Sequence, residues 1–153
     1  LVLQTMIELN NFDKAVLDDA TRGYIAGLID GEGCISRQIR HSGKVQPILT
    51  ITNGHIPILQ FCQKAIGGTI RQSHNPSRIV SLREKTSRVK TYKSRPCYRL
   101  DLNAQDEILY ALEQVKDLLI LKKEKALWAI EIVSGRKKEY VELPHHLLDS
   151  RPK

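Results

Sequence analysis

The chain of 153 residues has few aromatic residues, no useful pattern of cysteines and no long apolar run. One Trp, two Phe and five Tyr are present. That set does not supply the paired rings on which an RNA-recognition sheet stacks bases, which argues against a generic basic RNA-binding domain. Cys34, Cys62 and Cys97 are odd in number and widely spaced. They match neither a metal-ligand spacing nor a disulfide framework, and three reduced thiols in an intracellular protein are expected. No apolar stretch approaches the ~20 residues that cross a bilayer. Residues 1–12 lack the basic start and small-residue cleavage site of a secretory signal. The first residue is Leu1, as in a trimmed or internal product. A single domain is expected, with a core over about 18–135 and flanking segments 1–17 and 136–153.

The charge is abundant and unevenly placed. The net charge is +7. Between Arg71 and Arg99 stand nine basic residues against one acid, Glu84. The remainder of the chain is therefore close to neutral. Such a block is the electrostatic footprint of a polyanion binder. It is rich in Ser, Thr and Arg and poor in large apolar residues, which disfavours a membrane-surface helix.

Apolar periodicity divides the rest into short elements. Asp18 or Asp19 caps a helix over 20–29, ended by Gly31 and Gly33. Alternation over 34–41 and 44–53 gives two strands joined by the turn His41-Ser42-Gly43-Lys44. Pro57 opens a helix running to Ile66, stopped by Gly67-Gly68. A third strand covers 69–74, and 75–95 reads as a long loop or hairpin tip. A fourth strand covers 97–103. Asn103 caps a helix over 104–117, and another helix runs over about 122–134. The tail, 136–153, is expected as a short helix or coil. The fold class is α+β: four antiparallel strands with helices on one face, leaving a polar, basic face free.

The stretch Tyr24–Ile35 is the most informative. Gly23, Gly27 and Gly31 recur every four residues, so they share one helix stripe, with Ala26 beside it. Such a stripe lets another helix backbone approach closely. Ile25, Leu28 and Ile29 point to the core. Asp30 and Glu32 crowd the end of the helix, where the backbone dipole already carries partial negative charge. A local violation of that kind points to function, here a divalent cation held by carboxylate and freed carbonyls.

Ile25-Ala26-Gly27-Leu28-Ile29-Asp30-Gly31-Glu32-Gly33 resembles the signature of the LAGLIDADG homing endonucleases, with Ile for the first Leu and Glu32 where Asp is commoner. The α-β-β-α-β-β-α order resembles that family over most of the chain. One motif copy resembles its single-motif homodimeric branch. The resemblance implies a site-specific DNA endonuclease that makes a double-strand break with cohesive 3′ overhangs in a long pseudo-palindromic site. It implies a homodimer seamed through Gly23, Ala26 and Gly27. It implies Mg²⁺ (Ca²⁺ or Mn²⁺ able to substitute) at Gly31 and Glu32, and residence in an organelle or a microbial cytoplasm. The alternative within the fold is an intron maturase holding RNA, or a nuclease-dead nucleic-acid binder.

Further roles carry over by position. Asn53, at the end of the second strand, takes the place of a polar side chain that orders water. Lys122, at the start of the late helix, takes the place of a lysine near the active site. Catalytic residues are thus expected at Glu32, Asn53 and Lys122. The sheet's polar face is expected to read DNA through Ser36, Gln38, Arg40, Lys44, Gln46, Ile48, Thr50, Thr52, Arg71, Ser73, Arg99 and Asp101. Lys85, Arg88, Lys90 and Lys93 are expected to hold phosphates.

Overall fold

A computed structural model describes residues 16–74, 79–83, 89–93 and 95–143, the side chains of 74, 79–83 and 89–93 excepted. The elements in chain order are α1 (Asp19–Glu32), β1 (Gly33–Ile39), β2 (Val45–Asn53), α2 (Ile56–Ile66), β3 (Thr69–His74), β4 (Ile79–Arg83), β5 (Val89–Lys93), β6 (Cys97–Leu102), α3 (Gln105–Val115) and α4 (Lys123–Val133). The order of strands in the main sheet is β1-β2-β6-β3, all antiparallel. β4 and β5 form a separate hairpin inside the basic block. Among the described residues no helix is long and apolar enough to cross a membrane.

Strand alternation builds the layers. Val45, Pro47, Leu49 and Ile51 of β2 are buried, while the residues between them are half-buried on the other face. Leu100 and Leu102 of β6 and Ile35 of β1 join the buried side. Against it pack Ile25 and Ile29 of α1, Leu59 and Cys62 of α2, Leu112 of α3 and Ile130 of α4. The helices thus cover one face of the sheet, as the alternation predicts.

Four details depart from the sequence reading. The first is the length of α1, which runs on through Gly31 to Glu32. Gly33 then turns extended (φ −87°, ψ 159°) and its N–H bonds to Ile29 O. A Cβ at Gly33 would sit 2.6 Å from that same oxygen, so only glycine fits the junction. The second is the α3 start, where Ala104 rather than Asn103 is the cap residue and makes no side-chain cap bond. The third is Ala26, expected beside the glycine stripe but 3% exposed, within the core. It lies about 100° around the helix from Gly27, on the side of Ile25 and Ile29.

The fourth is the segment after α4. It pairs with the β1–β2 turn: Val45 N–H bonds Glu139 O at 2.9 Å, and Val141 N–H bonds Gly43 O at 2.8 Å. Gly43 has φ +78°, and a Cβ there would meet Val141 O at 2.5 Å. The Glu139 carboxylate pairs with Arg37 (2.6 Å) and accepts from the Trp128 indole N–H (2.9 Å). Arg37 also lies over the Trp128 ring, 4.9 Å from its centroid. The hairpin is therefore clamped at its tip and its flank by residues that follow α4.

Candidate active site

The end of α1 is where the two motif acids part company. Asp18 starts the helix as expected, its carboxylate accepting from Thr21 N–H at 2.9 Å. At the other end, Asp30 reaches across to the loop before α4. Its two oxygens accept from Ile120 N–H (2.8 Å) and Lys122 N–H (3.0 Å). The bond from Ile120, assisted by that from Lys122, holds the Asp30 carboxyl below its ordinary value of 3.8. Asp30 thereby supplies an acceptor to orphan N–H groups where α4 begins.

Lys122 returns the contact. Its ammonium donates to Ile29 O (2.8 Å) and Asp30 O (2.5 Å), carbonyls in the last turn of α1. A cation there offsets the negative pole of the helix and the Asp30 charge together. This explains why α1 tolerates an acid at its C-terminus and why it runs past Gly31. The sequence signal for it was present, an acid against the dipole, but its partner lay 90 residues away.

Glu32 stands apart. It is exposed, and among the described residues it has no hydrogen-bond or ion-pair partner. Gly23, Gly27 and Gly31 are exposed too, and a Cβ added to any of them meets nothing within 4 Å. Among the described residues nothing requires glycine at those three positions. Gly23 and Gly27 alone cost a helix about 2 kcal/mol relative to alanine. Exposed apolar side chains lie beside the same helix. Tyr24 stacks edge-on against Phe61 of α2 at 5.3 Å, both about half exposed. Ile120 and Leu121, at the Asp30 latch, are 91% and 76% exposed.

Asn53 lies at the end of β2, two residues beyond the Gly33–Ile51 pair. Its Oδ1 accepts from His55 N–H at 2.8 Å, which shapes the turn into α2. Among the described residues its carboxamide nitrogen has no partner. Glu32, Asn53 and Lys122 thus all belong to segments that meet at the α1–β1 junction. Among the described residues no cluster of three or more His, Cys, Asp or Glu could hold a metal by itself.

No protein-family model and no curated protein sequence matches the chain. Solved structures do. The homing endonuclease I-CvuI, in complex with DNA in the presence of Mg, superposes with a TM-score of 0.55 at 21% identity, over 81% of this chain and 69% of its own. The homing endonuclease I-TnaI gives 0.54 at 18% identity, over 80% and 75%. The archaeal intron-encoded homing endonuclease I-Vdi141I, complexed with DNA, gives 0.52 at 21% identity, over 77% and 69%. The chain has the LAGLIDADG homing-endonuclease fold.

In the homing-endonuclease fold of this chain, the face away from the helices forms a grid. Register places Ser36 opposite Ile48, Gln38 opposite Gln46, Thr50 opposite Asp101, Thr52 opposite Arg99, and Arg71 opposite Arg99. Gln38, Arg40, Arg71, Ser73 and Arg99 are exposed; Ser36, Lys44, Gln46, Ile48, Thr50 and Thr52 are half-buried. Arg40 Nε donates to Gln46 Oε1 at 2.6 Å, across the hairpin. Asp101 is the exception: it is 7% exposed, bonded to Arg99 Nε (3.0 Å) and to the Thr50 hydroxyl (3.1 Å). Lys90 and Lys93 lie on β5, in the separate hairpin. Lys85 and Arg88 lie outside the described residues. The three cysteines are unpaired, with Cys62 buried and its thiol pushed up to about 11 by that burial.

Proposed function

We propose that the protein is a site-specific DNA endonuclease that works as a homodimer with a divalent metal. One observation carries the reading. An exposed Glu32, unpartnered among the described residues, ends a glycine stripe on which no other described residue packs. A second copy packed on Gly23 and Gly27 gives that stripe its purpose. The exposed Tyr24, Phe61, Ile120 and Leu121 flank the seam and supply the apolar area that glycines cannot. Ala26 takes no part, being buried already.

The residues present suit a metal in a particular way. Mg²⁺ keeps several waters and uses one or two carboxylates together with substrate phosphates. One Glu32 carboxylate and one Gly31 carbonyl per chain are too few for a protein-only cage. They are enough for a site completed by DNA and by the second copy. The relevant solved structures were obtained with Mg or Ca. When bound, the metal supplies Lewis-acid polarisation of the scissile phosphate and a water of lowered pKa.

The chain's own groups do the rest. Asp30 fixes the α4 start, and with it the Lys122 backbone. Lys122 places a positive charge at the α1 terminus, where phosphate negative charge would accumulate. The Asn53 carboxamide can order a water at the end of β2. The sheet's polar face lies along the duplex, and the basic hairpin grips the backbone. Two copies, one cut each, give a double-strand break with cohesive 3′ overhangs in a long pseudo-palindromic site.

The test uses Glu32→Gln. The variant should bind the selected duplex with wild-type affinity and lose cleavage by at least about a hundredfold. Undiminished cleavage would remove Glu32 from the chemistry. A wild-type protein that binds nucleic acid and never cuts with Mg²⁺ or Mn²⁺ would favour an intron maturase or a nuclease-dead binder.

A further inference from the structure

Arg99 occupies the middle of the polar face and, among the described residues, is tethered from one side only. Its Nε donates to Asp101 Oδ2 at 3.0 Å, while its side chain stays 46% exposed. Asp101 is in turn fixed by the Thr50 hydroxyl on its other oxygen, at 3.1 Å. The carboxylate is nearly covered, so it presents little of itself to a ligand. Across the ladder from Arg99 stands Arg71, exposed and on the same face. Like charges directly opposite are unfavourable, which adds to the pull of Asp101 on Arg99.

A guanidinium has five N–H donors in a rigid fork. With Nε committed to Asp101, the two terminal nitrogens remain for an outside acceptor. Two parallel donors match O6 and N7 of guanine in the major groove, and no other base edge offers two acceptors there. A carboxylate facing DNA would instead accept from cytosine N4. Asp101 faces Arg99 and Thr50.

We propose that Arg99 is a guanine reader whose orientation is preset by the Asp101–Thr50 pair, and that Asp101 is a positioning residue rather than a reader. This rests on the DNA-binding reading of the sheet. It goes beyond that reading in assigning one base to one side chain and in withdrawing Asp101 from base contact. Pre-orientation matters because a free arginine loses rotamer freedom on binding, and one already tethered loses less.

The experiment is selection of bound duplexes from a randomised library in EDTA, so that base preference is read without cleavage. Wild type should show one guanine in each half-site that Arg99→Lys loses, with discrimination falling about 5- to 150-fold. Lysine keeps the charge near Asp101 but not the fork, which guards against misfolding. Asp101→Asn and Thr50→Val should weaken preference at that same position. Asp101→Asn on top of Arg99→Lys should add nothing, since both act through one contact. Three results would overturn the proposal. One is an Arg99→Lys variant that keeps every guanine preference of wild type. Another is loss of a cytosine preference at a different position in Asp101→Asn, which would make Asp101 a reader. Failure of wild type to enrich any site would remove both this inference and the DNA-binding reading beneath it, which sets that failure apart from the other two.

Discussion

Gly27→Ala should stabilise the isolated chain and weaken the dimer. The two effects have opposite signs and different causes, which makes the variant a strict test. Gly27 lies inside α1, its φ is not positive, and an added methyl meets no atom within 4 Å. The chain therefore gains the helix propensity of alanine without a clash, about 0.8–1.0 kcal/mol. For a protein of this size that raises the melting temperature by about 2–4 °C.

The proposed dimer would experience the same methyl as an obstruction. A seam through glycines works by bringing two backbones close, and each inserted methyl in a tight contact costs about 1–3 kcal/mol. The two-fold symmetry places one methyl from each copy in the seam. Association should weaken at least about tenfold, and cleavage at low protein concentration should fall with it. Sedimentation across a concentration series measures the first effect. Thermal unfolding at a concentration where wild type is monomeric measures the second, because dimerisation itself raises the apparent stability. Unchanged association would show that the stripe is not the seam. A less stable monomer would show that Gly27 is required within the chain.

Asp30→Asn should remove one charged acceptor from the α4 start and cost about 1–2 kcal/mol in denaturant unfolding. Because folding lowers the Asp30 pKa, its contribution is fully present above the ordinary 3.8 and is lost as pH falls through the lower folded value. The variant should accordingly show a flatter acid limb than wild type, and an identical limb would refute the latch. Glu139→Ala should leave the Trp128 indole and Arg37 without their shared partner, at a cost of about 1–3 kcal/mol. Trp128 is the only tryptophan, so fluorescence-monitored urea unfolding reads it directly, and an unchanged midpoint would dismiss the clamp.

Much of the architecture was legible because it depends on near neighbours in sequence. Val45, Pro47, Leu49 and Ile51 alternate with polar residues, and a strand with one buried face follows. Asp18 caps α1 through Thr21, three residues on. What was illegible depends on distant partners. Glycine at 31 should begin to end the helix, but Lys122 satisfies carbonyls of the last turn and α1 continues to Glu32, stopping only at Gly33. The segment 139–141 shows no strand periodicity, yet its backbone pairs with the turn at Gly43. Ala26 was placed with the stripe because its side chain is small. Its angle about the helix axis, not its size, decides that it is core. The sequence singles out both motif acids, Asp30 and Glu32, but not their partners. Both lie against the same dipole. The partner of Asp30, supplied by a loop some 90 residues away, ties that carboxylate to the start of α4, whereas Glu32 has no partner among the described residues.

That division has a consequence for assembly. If the two α1 helices run side by side with their C-termini together, the two Glu32 carboxylates face each other near the axis. For unit charges ~7 Å apart the repulsion is about 0.6–2.4 kcal/mol, depending on how much water lies between. Asp30 adds less to it, because its carboxylate is held by the Ile120 and Lys122 N–H groups with the Lys122 ammonium nearby. Glu32→Gln should therefore tighten the dimer about 3- to 50-fold in EDTA, and wild type should match the variant once Mg²⁺ is added. If the helices instead run antiparallel, the carboxylates lie at opposite ends of the seam. The substitution and the metal would then leave association unchanged, and a catalytic centre built from both copies of Glu32 would be geometrically excluded.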